Sequence, residues 1–382
     1  MSAETAYRQC ALGVLDTRDD PRMRFDENGV CHYYHQYTAE EAARVGTPQQ
    51  QKERLDRLLT ELRAQGRGRR YDALIGLSGG VDSSYVALLA AEFGLRPLCV
   101  HFDNGWNSEL AVKNIENIVA KLGFDLFTYV VNWEEFRDLQ RAYLQASVVD
   151  IEAVTDHAIF ASHYLLARKH GIRHILSGTN VATEAVLPPH WIHPKGDPVN
   201  IQAIHRAHGS VPLRTYPFMG LKVKKLYQQV YGIRSHSLLD LVPYRKAEAQ
   251  RRIQAELGWR DYGGKHHESI WTRFYQGHIL PVKFGIDKRK AHLSNLIYSG
   301  QMTKAEALVE LAQPTYDPVR LAEDTELVLK KLGFTPGEWA EIMARPPRPH
   351  SAYEVERPVY DRWPWLRPLR PIVNLGLRLL QR

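Results

Sequence analysis

The residues that could do chemistry lie in the stretch Leu74–Ser84, which reads Leu-Ile-Gly-Leu-Ser-Gly-Gly-Val-Asp-Ser-Ser. An apolar run over Ala73–Leu77 has the length of a buried strand, and the apolar pattern that resumes at Tyr85 is that of a helix. Two glycines between them allow the backbone to approach a bulky anion, and the first N–H groups of the helix point toward it. Serine hydroxyls can bind the same anion, and an aspartate can hold a magnesium ion beside it. The stretch therefore predicts a phosphate-binding loop.

This loop contains neither Gly-Lys-Ser/Thr nor G-x-G-x-x-G, so it differs from two familiar nucleotide loops. Its Ser-Gly-Gly-x-Asp-Ser pattern resembles the PP-loop of ATP pyrophosphatases, which bind the β and γ phosphates of ATP and release pyrophosphate. The resemblance implies ATP and Mg²⁺ as cofactors, with Asp82 as the magnesium ligand. The ATP contacts that it implies are Ser78, Gly79, Gly80, Val81, Asp82 and Ser83. A bare turn would account for the two glycines, but not for the serines and the aspartate beside them.

Strand-like and helical segments alternate from position 73 to position 177, which predicts repeated βαβ units and a parallel sheet with helices on both faces. The predicted strands are Ala73–Leu77, Pro97–Phe102, Leu126–Val131 and His174–Ser177. The fold class is therefore a doubly wound α/β domain, of the adenine nucleotide alpha hydrolase-like type that the PP-loop implies. In such sheets ligands bind beyond the carboxyl ends of the strands. Asp103, Gly178 and Asn180 follow two of these strands, and we expect them at the ATP site.

The regions outside this domain have weaker patterns. We expect helices over 47–66, 221–231 and 246–257, and three short helices after Thr303, but no periodicity is clear between Glu184 and Gly209. Two polar clusters, 261–269 and 283–294, place glycines beside cations, which suits contact with phosphate. A solvated basic helix start is the alternative. We divide the chain into 1–66, a hairpin and a helix; 67–210, the PP-loop domain; 211–344, a C-terminal helical region for substrate or partner; and 345–382, a basic tail.

Two cysteines near the N-terminus could be metal ligands. Cys10 and Cys31 flank a predicted hairpin and suggest half of a four-cysteine zinc knuckle, but Gly13 and Tyr34 stand where the other two cysteines would be. His32 and His35 could substitute as ligands. A fold that has lost its metal is the alternative, so zinc stays open. The chain has three cysteines, too few for a disulfide framework, and its N-terminus lacks the apolar stretch of a signal peptide, so we expect a cytoplasmic protein.

The net charge of +7 is concentrated in the tail of this 382-residue chain. Residues 345–382 carry eight arginines and three acidic side chains, which leaves +2 for the rest and argues against a wide nucleic-acid surface. The tail also contains seven prolines and two tryptophans. No apolar run approaches the ~20 residues that span a membrane. For the tail, contact with a membrane surface, contact with a partner and a disordered extension stay open.

Several motifs together resemble the N-acetyl sugar amidotransferases of surface-polysaccharide biosynthesis, from about Cys10 to about Ala312. They are Ser-Gly-Gly-Val-Asp-Ser at 78–83, His-Phe-Asp-Asn-Gly-Trp at 101–106, Thr-Asp-His-Ala-Ile at 155–159, Ser-Gly-Thr-Asn at 177–180, Gly-Gly-Lys-His-His-Glu-Ser at 263–269 and Phe-Gly-Ile-Asp-Lys-Arg-Lys-Ala-His-Leu-Ser at 284–294. The resemblance implies that AMP is transferred from ATP to the acetamido oxygen of a nucleotide-linked sugar, and that ammonia then displaces AMP to give an acetamidino group.

The same resemblance implies roles for individual residues. Asp82, Lys265 and Lys290 would be catalytic, and Lys288 would assist. His157, His266 and Arg289 would contact the sugar or its nucleotide, with Asp156 orienting one of them. Relatives would show four cysteines in the knuckle, which puts zinc in doubt here. The chain has no glutaminase signature, so the resemblance implies a separate glutaminase subunit and a cyclase-like barrel subunit that conducts ammonia.

Two other functions remain as alternatives. A PP-loop enzyme that modifies tRNA, such as a thiouridine-forming enzyme, would share the adenylation step but favour a basic body and catalytic cysteines near the loop. A non-catalytic scaffold would suit the incomplete knuckle, but the intact loop at 78–84 argues against it.

Overall fold

The computed structural model describes residues 6–263 and 268–356, and its centre is a sheet of five parallel strands. The strands are β1 (Ala73–Gly76), β2 (Pro97–Asp103), β3 (Asp125–Val130), β4 (His174–Ser177) and β5 (Arg234–Ser237), in the spatial order β3-β2-β1-β4-β5. Helices cover both faces of this sheet, so the predicted α/β class is confirmed.

Helices make up most of the remaining described chain. They are α1 (His32–Arg44), α2 (Pro48–Gly66), α3 (Val81–Glu92), α4 (Glu109–Leu122), α5 (Trp133–Ala146), α6 (Ala153–Lys169), α7 (Val181–Glu184), α8 (Pro198–His208), α9 (Leu221–Gln229), α10 (Lys246–Leu257), α11 (Ile270–Phe274), α12 (Arg289–Tyr298), α13 (Lys304–Leu311), α14 (Pro318–Leu332) and α15 (Pro336–Ala344). A π-helical segment, Tyr275–Phe284, joins α11 to the loop before α12. Within the two described ranges, no helix has the length and apolar character needed to cross a bilayer.

The strand order places the phosphate loop at the centre of the sheet. From β1 the chain goes to β2 and β3 on one side, whereas β4 and β5 lie on the other side. Strand order therefore reverses between β1 and β4, where the connections diverge and leave a crevice beyond the strand ends. Alternate residues of β1 pack on opposite faces, Leu74 in one core cluster and Ile75 in another, as a strand covered on both sides requires.

Three elements differ from the sequence prediction. β5 was missed because Arg-Ser-His-Ser has no apolar run, and it pairs with β4 as an edge strand. It lies beyond position 210, so the sheet continues into the range that we assigned to the C-terminal helical region. The unpatterned stretch before Gly209 contains α8. The predicted hairpin is a single antiparallel bridge between Phe25 and Cys31, after which α1 begins at His32 instead of a second extended run.

A buried side-chain amide is one of the contacts that join the chain after α10 to the sheet domain. Asn114 of α4 is fully buried; its Nδ2 donates to the carbonyl of Arg260 at 2.8 Å, and its Oδ1 accepts from the Arg260 N–H at 2.9 Å. Both backbone groups of Arg260 are thus satisfied by one side chain, as buried peptide groups require. This contact sets the position of the neighbouring Trp259, whose Nε1 donates to the carbonyl of Gly79 at 2.7 Å.

We expect Asn114→Ala to lower the free energy of unfolding by about 1–3 kcal/mol, because it leaves two polar groups of Arg260 without their partner. Asn117→Ala, three residues along the same helix and only partly buried, should change it by less than about 0.5 kcal/mol. Urea denaturation of both variants measures the difference. Equal effects of the two substitutions would contradict the role assigned to Asn114.

Candidate functional site

The loop between β1 and α3 is held in a closed conformation by its own serines. Ser78 Oγ lies 3.1 Å from Ser83 Oγ and accepts a hydrogen bond from the Gly80 N–H at 3.2 Å. Gly79 has a φ of +82°, and a Cβ there would lie 2.9 Å from the carbonyl oxygen of Ala111, so both backbone conformation and space favour glycine. The loop is preformed, with the N-terminus of α3 behind it.

Two aromatic side chains from the region after α10 form hydrogen bonds to the backbone of this loop. Trp259 Nε1 and the Tyr262 hydroxyl both donate to the carbonyl of Gly79. The sequence analysis missed these two residues, because an aromatic side chain after a helix carries no signal for contact with a loop 180 residues earlier in the chain.

Asp82 lies in the first turn of α3, where a carboxylate interacts favourably with the helix dipole. Its Oδ1 accepts a hydrogen bond from the hydroxyl of Tyr244, another residue that the sequence analysis missed. Burial, together with the charge of Asp82, raises the pKa of Tyr244 well above its usual range, so this hydroxyl stays a proton donor at neutral pH. A carboxylate beside two serine hydroxyls and a helix N-terminus fits a magnesium ion that accompanies phosphate.

The loop after β4 approaches the phosphate loop closely. A Cβ at Gly178 would lie 3.0 Å from the backbone of both Asp82 and Ser83, so glycine permits this contact. The predicted residue Asn180 does not line the cleft described below; its Oδ1 accepts from the Thr183 N–H at 2.9 Å and caps α7. Asn180 therefore shapes the loop that carries Gly178 and Thr179.

A cleft of about 750 Å³ opens above these two loops and continues to the C-terminal helices. The predicted site residues that line it are Ser78, Gly80, Val81, Asp82, Ser83, Gly178, Lys288 and Arg289. Its lining also includes Thr179, Glu184, Tyr262, Glu268, Gln276 and His292. One cavity thus joins the phosphate loop to the cations of the second polar cluster, although 200 residues separate them in the chain.

Two of the cations that line the cleft, Lys288 and Arg289, differ in their surroundings. Arg289 is bound on the protein side: its guanidinium lies 2.7 Å from Asp287 and donates to the carbonyls of Glu310 and Gln313. Lys288 Nζ lies 3.8 Å from the carboxylate of Glu152, beyond hydrogen-bond distance. Lys288 is therefore the better placed of the two to meet a ligand phosphate, and Arg289 mainly shapes the wall.

Lys290, predicted as catalytic, does not line the cleft. Its Nζ lies 2.7 Å from Asp16 and 2.8 Å from Asp19, two nearly buried carboxylates of the N-terminal segment. Because α12 turns its successive residues in different directions, Lys288 and Lys290 serve different partners. This ion pair raises the pKa of Lys290 despite an opposing effect of burial, so the ammonium is retained for structure.

Three other predicted contacts also lie away from the cleft lining. His157 is fully buried, with Nδ1 2.7 Å from the carbonyl of Lys195 and Nε2 accepting from the Met219 N–H at 3.0 Å. Burial lowers its pKa, and both of its ring nitrogens are bonded to the backbone within the core. Asp156 pairs with Lys195 at 3.0 Å. Asp103 accepts from the Gly105 N–H at 2.9 Å and closes its own turn. Lys265 and His266 lie outside the described residues.

The predicted zinc ligands do not form a metal site. The hydroxyl of Tyr298 lies 3.4 Å from Cys31 Sγ and 3.8 Å from Cys10 Sγ, and a Cβ at Gly13 would collide with it. His32 and His35 bond instead to the Arg24 N–H and to Asp26. Over residues 6–263 and 268–356 no cluster of three metal-ligating side chains is found. The Tyr298 hydroxyl occupies the space where a knuckle would hold its metal.

Two protein families match separate parts of this chain. Residues 70–180, from β1 to the end of the β4 loop, match the asparagine synthase family. Residues 268–369 match the family described as LPS biosynthesis protein WbpG-like, C-terminal domain. The first match contributes the phosphate loop to the cleft, and the second contributes its opposite wall.

Individual relatives are distant. An uncharacterized protein of Methanocaldococcus jannaschii is 21% identical over 272 residues, 69% of this chain and 79% of that protein. The tRNA(Ile)-lysidine synthase of Chlamydia pneumoniae is 37% identical over 67 residues, 17% of this chain and 21% of that enzyme. Among solved structures, NMN synthetase from Francisella tularensis is 16% identical with a TM-score of 0.27, covering 58% of this chain and 95% of that one.

We expect Gly178→Ala to weaken binding of magnesium ATP by about tenfold, the equivalent of ~1.4 kcal/mol, because the added methyl group forces the β4 loop away from Asp82 and Ser83. Gly337→Ala is the matched control, since a Cβ there meets no atom within 4 Å. Titration calorimetry with ATP and magnesium compares the two. Unchanged affinity in the first variant would contradict the close approach.

We expect the purified chain to carry no stoichiometric zinc and to keep its melting temperature in a strong chelator, because Tyr298 fills the space between the thiols. The triple variant Gly13→Cys, Tyr34→Cys, Tyr298→Ala restores four thiols and that space, and should bind one zinc ion per chain. Elemental analysis and thermal unfolding measure both. One zinc ion per native chain, with a chelator-sensitive melting temperature, would contradict this reading.

Proposed function

We propose that this chain is a PP-loop protein of LPS biosynthesis, an ATP-dependent amidotransferase that converts the acetamido group of a nucleotide-linked N-acetyl sugar into an acetamidino group. The observation that carries the proposal is the shared cleft, in which the phosphate loop faces a wall built from the WbpG-like region. Its volume lies in the upper part of the ~300–1,000 Å³ range of ligand pockets, which suits two substrates side by side.

The proposed reaction has two steps. The acetamido oxygen attacks the α phosphorus of ATP, the bond to pyrophosphate breaks, and an imidate adenylate forms. Ammonia then adds to the imidate carbon, and AMP leaves with the former amide oxygen. An amide oxygen is a very poor leaving group by itself, so this activation is the step for which a phosphate-binding loop is needed.

The described residues suit the first step. The closed loop of Ser78–Ser83 and the N-terminus of α3 would bind the departing pyrophosphate, whose charge the helix dipole stabilises. Asp82 would hold the magnesium ion, which neutralises charge on the phosphates when it is bound. Lys288 lies across the cleft and would bind the phosphates of the nucleotide sugar. Lys265 and His266 keep the catalytic and binding roles that the resemblance implies for them.

An external source of ammonia also agrees with the structure. Cys10, Cys31 and Cys99 are all fully buried. A thiol that solvent does not reach cannot attack glutamine as the nucleophile that releases ammonia. We therefore propose a separate glutaminase subunit, with a cyclase-like barrel subunit that conducts ammonia to the cleft.

The two alternatives predict different substrates. The short match to a tRNA(Ile)-lysidine synthase concerns 67 residues, and the buried Cys99 offers no catalytic thiol near the loop for thiouridine chemistry. A scaffold without catalysis would bind ATP without turning it over.

We expect release of AMP and pyrophosphate from ATP and ammonium only when a nucleotide-linked N-acetyl sugar is present, with the amide of that sugar replaced by an amidine in its mass spectrum. Asp82→Asn should abolish the release, because the loop loses its carboxylate, whereas Asp56→Asn on the exposed face of α2 should keep it. AMP release stimulated by tRNA instead of sugar, or ATP binding without turnover under every condition, would contradict the proposal.

We expect Lys288→Met to change the kinetics of the reaction and Lys290→Met to change the stability of the protein. The first removes a cation from the cleft and should lower kcat/KM for the sugar nucleotide about tenfold or more, with little change in stability. The second removes the ammonium from Asp19 and leaves Asp16 with only the exposed Arg18 as a cationic partner, so it should lower the free energy of unfolding by about 3 kcal/mol, with kcat of the folded protein unchanged. Steady-state kinetics and urea denaturation separate them. A loss of kcat at unchanged stability for Lys290→Met would restore its catalytic role.

A further inference from the structure

Tyr244 contacts the phosphate loop from a segment far along the chain. It precedes α10, and its hydroxyl donates a hydrogen bond to Asp82 in the first turn of α3. Its ring centre lies 6.0 Å from that of Tyr85, a buried residue that follows Asp82 by three positions on α3. Residues three apart share one face of a helix, so Asp82 and Tyr85 both face Tyr244. The hydrogen bond and the ring contact together fix the orientation of the tyrosine on α3.

The backbone around Tyr244 is held by Gln301, which follows α12. The Nε2 of Gln301 donates to the carbonyl of Tyr244 at 3.3 Å, and its Oε1 accepts from the Lys246 N–H at 2.8 Å. One side-chain amide thus bridges two backbone groups of the segment that carries the tyrosine. Gln301 belongs to the region that matches the WbpG-like family. These contacts therefore connect that region to Asp82 through Tyr244.

Tyr244 reaches Asp82 from the protein side of the cleft. Asp82, Lys246 and Gln301 line the cleft, whereas Tyr244 does not. A ligand in the cleft therefore contacts the carboxylate and not the tyrosine. A neutral hydroxyl that donates to a carboxylate restricts its rotation but leaves its negative charge for a cation. Hydrogen bonds of this kind orient the side chains that bind metal ions in proteins.

We propose that Tyr244 is a positioning residue for the magnesium-binding carboxylate of Asp82, and that Gln301 holds Tyr244 in the place where it can act. This inference rests on the binding of ATP and magnesium in the proposed function and deepens it. A carboxylate without such a partner rotates about its side-chain bonds and meets the ion in several orientations. The tyrosine hydroxyl selects one orientation before the ion binds, which reduces the entropy that is lost on binding.

The test is titration calorimetry of ATP binding by the full-length protein, at a series of magnesium concentrations and in EDTA. We expect Tyr244→Phe to need about tenfold more magnesium than the native protein for the half-maximal gain in ATP affinity, because it loses the hydroxyl and keeps the ring. Its ATP affinity in EDTA should equal that of the native protein, and excess magnesium should restore the native affinity. A role in packing alone would change ATP affinity by the same factor with and without the ion.

Tyr71→Phe is the matched control, because the Tyr71 hydroxyl also donates to an aspartate, Asp125, at 2.8 Å. Tyr71 precedes β1 and Asp125 begins β3, so this pair lies at the amino ends of the strands, whereas the phosphate loop follows the carboxyl end of β1. The control variant should bind ATP and magnesium like the native protein. Circular dichroism checks that each variant folds.

Gln301→Ala tests the second part of the proposal. It should raise the magnesium requirement in the same way as Tyr244→Phe but by a smaller factor, because the tyrosine keeps its contact with Tyr85. Gln49→Ala is its control, since the Gln49 amide donates to Glu53 on the exposed surface of α2. This control should leave the magnesium requirement unchanged.

The proposal is overturned if Tyr244→Phe needs no more magnesium than Tyr71→Phe, or if its ATP affinity falls by the same factor in EDTA. A native magnesium requirement in Gln301→Ala would overturn the role of the glutamine. Calorimetry uses neither sugar nor ammonia, so these outcomes are distinct from a failure of the proposed function, which sugar-dependent AMP release tests. If ATP binding by the native protein does not depend on magnesium, both proposals are overturned.

Discussion

The backbone carbonyl of Gly79 is the constraint on which the candidate site depends. A left-handed glycine turns the loop back over the N-terminus of α3 and points this carbonyl away from any helical partner. A buried carbonyl must be hydrogen-bonded, and here Trp259 and Tyr262 supply the donors. The phosphate loop is therefore held by residues from the second half of the chain, and neither part has its final shape without the other.

Helix α12 has a comparable role on the opposite wall. Its residues Lys290, Ser294 and Tyr298, four positions apart, contact the N-terminal segment through an ion pair, a hydrogen bond to the Val14 N–H and the two knuckle thiols. The neighbouring residues Arg289 and His292 face the cleft. The N-terminal segment thus supports this wall of the cleft on the side away from the cavity, and the Tyr298 hydroxyl contacts the two thiols there.

The cationic side chains that line the cleft differ in how closely a carboxylate holds them. Arg273, which also lines the cleft, is bound by Asp324 at 2.7 Å, and Arg289 is bound by Asp287. The Arg273–Asp324 pair is nearly buried and fixes the wall, because each of its charges would be costly without the other. Lys288, with its carboxylate partner farther away, keeps a charge that can reach a ligand. Arg273 and Arg289 are therefore held more closely by their carboxylates than Lys288 is.

The local chemistry of the chain could be predicted from the sequence. Residues Ala73–Ser84 predict a strand, a phosphate loop and the start of a helix. This prediction is possible because apolar periodicity and the backbone conformation of glycine depend on only a few neighbouring residues. The helices over 47–66, over 246–257 and after Thr303 could be predicted for the same reason. Tertiary structure alone decided which polar residues meet. The sequence cannot tell which face of α12 carries Lys290 to Asp16 and Asp19, that His157 is enclosed in the core, or that Tyr244 reaches Asp82, because these contacts depend on how distant helices pack. The strand β5 escaped prediction because edge pairing, and not an apolar run, stabilises it.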